Sequence, residues 1–402
     1  MTSLLLLLGL WLSSVSGAPL PLSLRWSNGL FFDVDKGPVV IGNLSSSLNA
    51  AVSAAFSSAT GDGIDPSTFT LLNSNSKALS YLYLTGSLVV DVPLLVGGGC
   101  IVVLNDAVLQ AADNFAGGAL VIANESNWAA IVSPGGPTRN SINCATPNGI
   151  VFDGVRGVLA LKSSNFLIDG LNVSNCGGIN VDTCTAAVHF SGPVTGGTIL
   201  RSYIQHSCRA VWVLSAQRIV VMGNTMFNNS KRTVDFDADA SGGVVTMNKI
   251  SGSAREAVVL QQGSQNIVVS GNTIGPDNGQ GVTIFNNAYP NATKGHVIIG
   301  NLFTNNVQGA QFGSAAVIGS GTADALFFVN NVFSGNLENF VKNGTVNNTW
   351  LVENVESGGG AANLSSALLL AGGAQVAAFD PLGLIGVGAP RGRGGGGVQP
   401  SF

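Results

Sequence analysis

The sequence predicts an all-β solenoid of stacked parallel coils, and three observations carry that expectation. The first is a short apolar pattern that recurs as Ala187-Val-His-Phe, Ala210-Val-Trp-Val, Thr233-Val-Asp-Phe, Ala257-Val-Val-Leu, Gly281-Val-Thr-Ile and Ala316-Val-Ile-Gly, with starts 23, 23, 24, 24 and 35 residues apart. The second is an alternating pattern: IDGLNV (168–173), ILRSYI (199–204), VMGNTM (221–226), VTMNKI (245–250), VSGNTI (269–274), IIGNLF (298–303) and FVNNVF (328–333). Its fourth position is Asn in the last five copies, at Asn224, Asn248, Asn272, Asn301 and Asn331. The third is composition: 46% of the 402 residues are hydrophobic, only 9% are charged, and 54 are glycine. A unit of about 23 residues cannot bury its apolar face alone, so units stack. Their strands then pair in parallel at about 4.8 Å spacing. The recurrent Asn suits both a left-handed corner and side-chain amides bonded from coil to coil.

The other segments follow in order. MTSLLLLLGLWLSSVSGAPLPL has an apolar run from Leu4 to Leu12 followed by small residues, the layout of a secretory signal peptide ending at Gly17 or Ala18. Pro19 disfavours the second cut, and the apolar run is too short to span a membrane. Residues 18–95 are expected to form a cap and leading strands. Within them SSSLNAAVSAAFSSA (45–59) puts Leu48, Ala51, Val52, Ala55 and Phe56 on one helical face, suited to covering the open end of a solenoid. Residues 96–355 carry the coils, with NNAYPNATKG (286–295) as an inserted loop. Residues 356–402 form a Gly-rich segment ending in the tail PRGRGGGGVQPSF.

Over residues 96–335 the period and the Asn-containing turn between short strands resemble the right-handed parallel β-helix proteins of the pectin-lyase-like superfamily. The resemblance implies a right-handed parallel β-helix with a short N-terminal helical cap. It also implies that the AVxF strands belong to the sheet lining a substrate cleft. That architecture serves lyases, hydrolases, epimerases and scaffolds alike. The chain lacks the Asn-Thr-Asp and Arg-Ile-Lys signatures of polygalacturonases and the Asp-Pro-His-Asp of alginate epimerases.

A net charge of −4 without a basic stripe argues against nucleic acid as a partner. Export is consistent with sequons at Asn43, Asn124, Asn172, Asn228, Asn291, Asn343, Asn347 and Asn363, which make the chain a candidate glycoprotein. Five cysteines (Cys100, Cys144, Cys176, Cys184, Cys208) leave an odd one, and Cys176 with Cys184, flanking a short loop, are the expected disulfide. No CxxC or His/Cys cluster offers a zinc site.

Strand alternation places the chemistry. Stacking the AVxF units gives an outward column of Ala160, His189, Trp212, Asp235, Val259 and Thr283, and a second of Lys162, Ser191, Leu214, Asp237, Gln261 and Phe285. The turns ahead of these strands supply Arg209, Lys231, Arg232, Arg255 and Glu256, and 11 of the 38 charged residues fall within 201–260. Asp235 and Asp237 share a strand face, so their carboxylates would lie about 6–7 Å apart, between the retaining and inverting glycosidase separations. With Asp239 they are also candidates for Ca²⁺. Trp212 is the candidate sugar platform. Arg209, Arg232 and Arg255 are candidates for a uronate carboxylate, with Gln261 alongside, and Lys231 or His189 for a base. The competing reading makes these charges solvated ion pairs. His206 reads as a turn residue, and His296 and Lys294 as solvated loop residues. The expected function is therefore a secreted, monomeric, polysaccharide-active enzyme, lyase or glycoside hydrolase. The alternative is a non-catalytic extracellular β-helix that binds glycans or serves as a structural surface component.

Overall fold

The computed structural model describes Val39–Leu44 and residues 80–357, except 125, 179, 181–182, 287–289, 307–313 and 343–344. The leader, the helical face over 45–59 and the tail beyond 357 lie outside the described residues. Every strand pair between named strands is parallel, and each strand pairs with its counterpart one coil on. A repeating coil contributes three strands. A six-residue strand forms one face, as in Ala186–Ser191, Arg209–Leu214, Arg232–Asp237 and Glu256–Gln261. Two three-residue strands form the others, as in Val220–Met222 and Thr225–Phe227, then Val244–Thr246 and Lys249–Ser251. The chain is a parallel β-helix.

Alternation fills the interior. Val188, Phe190, Val211, Val213, Val234, Phe236, Val258 and Leu260 are at most 1% exposed, as are Val221, Val245, Val269, Met226 and Ile250 from the short strands. The recurrent Asn side chains form a ladder at the corner between the two short strands. Asn224 donates from its backbone N–H and Nδ2 to Asn248 Oδ1 (2.9 and 3.1 Å), and the pattern repeats through Asn272, Asn301, Asn331 and Asn354. Each Nδ2 also donates to a carbonyl of the preceding coil, such as Val221 O and Val245 O. The left-handed conformation falls on the residue before each Asn: Gly223, Met247, Gly271, Gly300, Asn330 and Glu353. The expected ladder is present, and the expected left-handed corner falls one residue earlier than the Asn. A second ladder, Asn278–Asn306–Asn336–Asn339, runs along the next corner.

The disulfides obey the same stacking. Cys144 pairs with Cys176 (Cα–Cα 5.0 Å) and Cys184 with Cys208 (6.0 Å). The expected Cys176–Cys184 bridge is corrected because the two residues sit at successive positions around one coil. The parallel register instead puts each above a cysteine of the neighbouring coil. Cys100 lies buried outside both bridges, its thiol pushed up to about 11 by burial. No helix among the described residues is long and apolar enough to cross a membrane. The sequons at Asn124, Asn228 and Asn291 are exposed and Asn172 is half-buried; Asn43 and Asn347 lie in strands, and Asn343 and Asn363 lie outside the described residues.

Asn272 accepts two ladder bonds through Oδ1 and donates to Val245 O and Asn301 Oδ1 through Nδ2. Asn272→Ala orphans several buried groups and is expected to cost about 3 kcal/mol. Lys249→Ala, at an exposed position, is expected to change stability by less than about 0.5 kcal/mol. Urea unfolding of the two variants measures the contrast, and equal midpoints would remove the ladder from the account of stability.

Candidate functional site

Register on the long-strand face confirms most of the first outward column: His189, Trp212, Asp235, Val259 and Thr283 stand opposite one another in successive coils. The coil before them differs. His189 pairs with Leu159 and Ser191 with Leu161, so Ala160 points into the core and Lys162 falls in the turn. This one-residue shift reverses the faces. It also brings Arg156 into line with Ala186, Arg209 and Arg232, at the start of their strands.

Asp235 is fully buried and its carboxylate is occupied on both oxygens. Oδ2 accepts from Arg209 Nε (3.1 Å) and Arg232 Nη1 (2.9 Å), and Oδ1 accepts from Gln261 Nε2 (2.8 Å). Arg232 Nε donates to Glu256 Oε2 (3.3 Å), and Arg209 Nη1 donates to the Cys184 carbonyl (2.8 Å). These are ion pairs, but sealed ones, so the solvated reading is corrected. Charges taken from water survive only with such complete partnering.

Trp212 is half-buried, with the His189 ring stacked on it at 4.4 Å and the Arg209 guanidinium 4.4 Å from its centroid. As a bare sugar platform it is therefore corrected: its own chain already engages the ring. His189 is 3% exposed rather than a surface residue. Arg156 Nε–H donates to its Nδ1 (2.8 Å), which puts the proton of the neutral ring on Nε2. Burial, then the charges of Arg156 and Arg209, lower its pKa to about 3. A ring with its one lone pair taken cannot serve as base, which corrects that expectation.

Asp237 is 8% exposed. Burial and then the neighbouring Asp235 carboxylate push its carboxyl up to about 6, against weaker opposing effects from Trp212, Arg232 and the Ala238 amide. Asp237 Oδ1 and the Trp212 indole N–H are both buried and outside hydrogen-bonding geometry with any atom of the described residues, although the indole is near enough to draw the carboxyl down.

Other expected members stand apart. Asp239 sits in the following turn, where Asn291 Nδ2 donates to it (2.8 Å). Among the described residues no group of three metal-ligating side chains converges, so the Asp235, Asp237 and Asp239 calcium site is corrected; two guanidiniums already neutralise Asp235. Lys231 is half-buried in the preceding turn, its amide donating to the Cys208 carbonyl (3.0 Å), and Arg255 lies exposed in the next coil's turn. His206 is exposed at a turn with a left-handed backbone, as read. His296 is not solvated: it is fully buried, its Nδ1 accepting from the Ile267 amide (3.2 Å).

Just beyond Ser191 and Leu214 lies a cleft of about 330 Å³ lined by Gly192, Pro193, Val194, Thr195, Ser215 and Gln217. It adjoins a row of polar residues stacked coil on coil, Asn127, Ser164, Thr195, Gln217, Ser241 and Gln265.

The raised Asp237 pKa fixes a pH dependence. Between the ordinary value of 3.8 and about 6 the folded chain holds more protons than the unfolded one, so this carboxyl makes stability fall as pH rises. Asp237→Asn removes that penalty. The variant's stability relative to wild type is expected to increase from pH about 4 to about 6 and then level off. Urea unfolding of both proteins across that range gives the difference; a flat difference would mean an unperturbed carboxyl.

Solved structures similar to this fold include the Dettilon tailspike protein, with a TM-score of 0.57 and 14% identity, covering 80% of this chain and 67% of that one. A polygalacturonase from Erwinia carotovora aligns at TM-score 0.48 and 12% identity over 82% of this chain and 99% of its own. The periplasmic alginate epimerase AlgG, as a double mutant, aligns at 0.43 and 15% over 71% and 73%. The likeness to the tailspike establishes a right-handed parallel β-helix and nothing of the chemistry. No curated protein sequence matches this chain. The family described as periplasmic copper-binding protein (NosD) matches residues 132–360, which include all the coils that build the site, and the chain belongs to the NosD family.

Proposed function

We propose that the protein is an extracytoplasmic, non-catalytic β-helix protein that binds polysaccharide along its long-strand face and the adjoining cleft. The observation that carries this reading is the state of Asp235. Its two oxygens are taken by Arg209, Arg232 and Gln261, and no part of the residue reaches the surface. Glycoside hydrolysis by the usual route needs two accessible carboxylates flanking one bond. Here Asp235 is sealed and Asp237 is only 8% exposed. The network instead fixes the half-buried Trp212 through Arg209, beside a cleft whose hydroxyl and amide groups suit sugar hydroxyls. The leader and the periplasmic description of the family support an extracytoplasmic location.

Copper finds no donor set among the described residues. All three histidines and all five cysteines are among the described residues, as are three of the four methionines. His189 and His296 are buried and engaged, four cysteines are in disulfides, and Cys100 is buried with a raised thiol pKa. His206 stands alone at an exposed turn. No step of this reading runs through a metal.

A second reading is favoured by one observation. A carboxyl raised to about 6 beside an ionised neighbour is what a proton donor at near-neutral pH requires, which keeps Asp237 as the catalytic candidate of a hydrolase or lyase.

The secreted protein, incubated with acidic and neutral polysaccharides with Ca²⁺ or with chelator, is expected to retard in affinity gels while mass spectrometry finds no new fragments. Fragments that disappear with Asp237→Asn would overturn the binding reading in favour of the enzyme. Asp235→Ala leaves Arg209 and Arg232 without their shared carboxylate and is expected to cost about 3–5 kcal/mol of stability in urea unfolding. A loss below about 1 kcal/mol would contradict the structural role of the network.

A further inference from the structure

The turn that follows each long strand carries a regularity that the charge cluster leaves unused. One residue beyond the polar row, successive coils take a left-handed backbone at Asn165, Gly196, Arg218, Gly242 and Asn266. Each of these amides donates to the row carbonyl of the next coil at 2.8–3.0 Å, so the conformation is built into the stacking. Glycine and asparagine suit it at little cost, and a bulky aromatic side chain does not. The coil before them nevertheless places Trp128 there, with a φ of 60° and its amide on the Ser164 carbonyl (3.1 Å). The residue is 43% exposed, and the adjoining Asn127 Oδ1 accepts from Ser164 Oγ (2.7 Å). A bulky aromatic held in the open at a strained position points to use rather than packing.

The same ridge carries the cleft of about 330 Å³, which Thr195 and Gln217 line two and three coils on from Asn127. The cleft is open at Gly192, where a Cβ would meet nothing within 4 Å. From Asn127 to Asn266 the row and the left-handed column beside it hold a single charge, the exposed Arg218, and no carboxylate.

Resting on the glycan-binding reading above, we propose that this ridge is the track for a linear acidic polysaccharide lying along the helix axis, with one sugar ring stacked on Trp128 and a carboxylate of the chain at Arg218. Coils repeat about every 4.8 Å. An extended 1,4-linked glycan advances by nearly that distance per sugar, so its hydroxyls meet one row residue per coil. Trp128 and Arg218 stand three coils apart, about 14 Å, which puts the stacked ring and the paired carboxylate three sugars apart. The amide and hydroxyl side chains of the row then serve the sugars between them.

The test measures binding of a 1,4-linked polyuronate, and of the same polymer with its carboxyls reduced to alcohols, by calorimetry on the full chain. Trp128→Asn, which suits the left-handed turn, is expected to keep or raise the urea midpoint while weakening both polymers about 10-fold, the worth of an aromatic anchor. Arg218→Gln is expected to weaken the polyuronate about 3-fold, an exposed charge pair being worth little, and to leave the reduced polymer unchanged. Wild-type affinity in both variants would overturn the track while leaving glycan binding elsewhere on the face intact. Equal binding of the two polymers by wild type would overturn the acidic assignment. Binding of neither polymer by wild type would sink the glycan-binding reading and the track together. The two-polymer comparison needs no variant, so a misfolded chain leaves the proposal falsifiable.

Discussion

Everything on the outer surface of this protein depends on register between coils. A side chain faces solvent or core according to whether its strand is aligned by an even or odd number of residues, so a slip of one would exchange Asp235 with Phe236. The corner ladder holds that alignment. Through Oδ1 each Asn accepts from the backbone amide and the carboxamide of the Asn one coil before, and through Nδ2 it donates to a carbonyl of that same coil and to the Asn Oδ1 of the next. The contact is specific in a way that apolar packing is not, because sliding one coil along its neighbour would leave several buried amide groups without partners. Valine and isoleucine fill the interior; asparagine sets where they sit.

That register permits the buried charge cluster. Arg209, Arg232 and Glu256 begin three consecutive strands, and Asp235 projects from the middle of one of them. Stacking brings them within hydrogen-bonding distance although they are separated by whole coils in sequence. The carboxylate is removed from water completely, and three donors replace its hydration. Burial first, and then the Asp235 charge, raise the neighbouring Asp237 carboxyl. The cations are then unevenly matched along the line, with the surplus at Arg156.

The β-helix supplies a frame, and function rests on outward residues grafted on it. Membership of the NosD family agrees with the coils, since the matched span covers the site strands. The copper of the family description does not carry over to the residues described here: four cysteines are in disulfides, Cys100 is buried, His189 and His296 are engaged, and no three metal-ligating side chains converge among the described residues.

The sequence by itself determined the architecture. A period near 23, the alternation within AVxF and the recurrent Asn are local signals, and each states a physical need that one solution satisfies: stacked coils with Val and Phe inside. It also indicated which face carries the charges, because His189, Trp212 and Asp235 fall at the same place in successive repeats. Tertiary structure alone decided the rest. Whether a charged group on that face is open or sealed depends on side chains from neighbouring coils closing over it, as Gln261 and Arg209 close over Asp235. Cysteine pairing followed the coil spacing rather than proximity along the chain. Arg156 escaped the sequence reading because its strand, RGVLAL, lacks the AVxF pattern and was aligned one residue out of place; the correct register is a property of the paired backbones. The second ladder was hidden as well, since Asn278, Asn306 and Asn336 lie in turns of unequal length that only stacking brings into line.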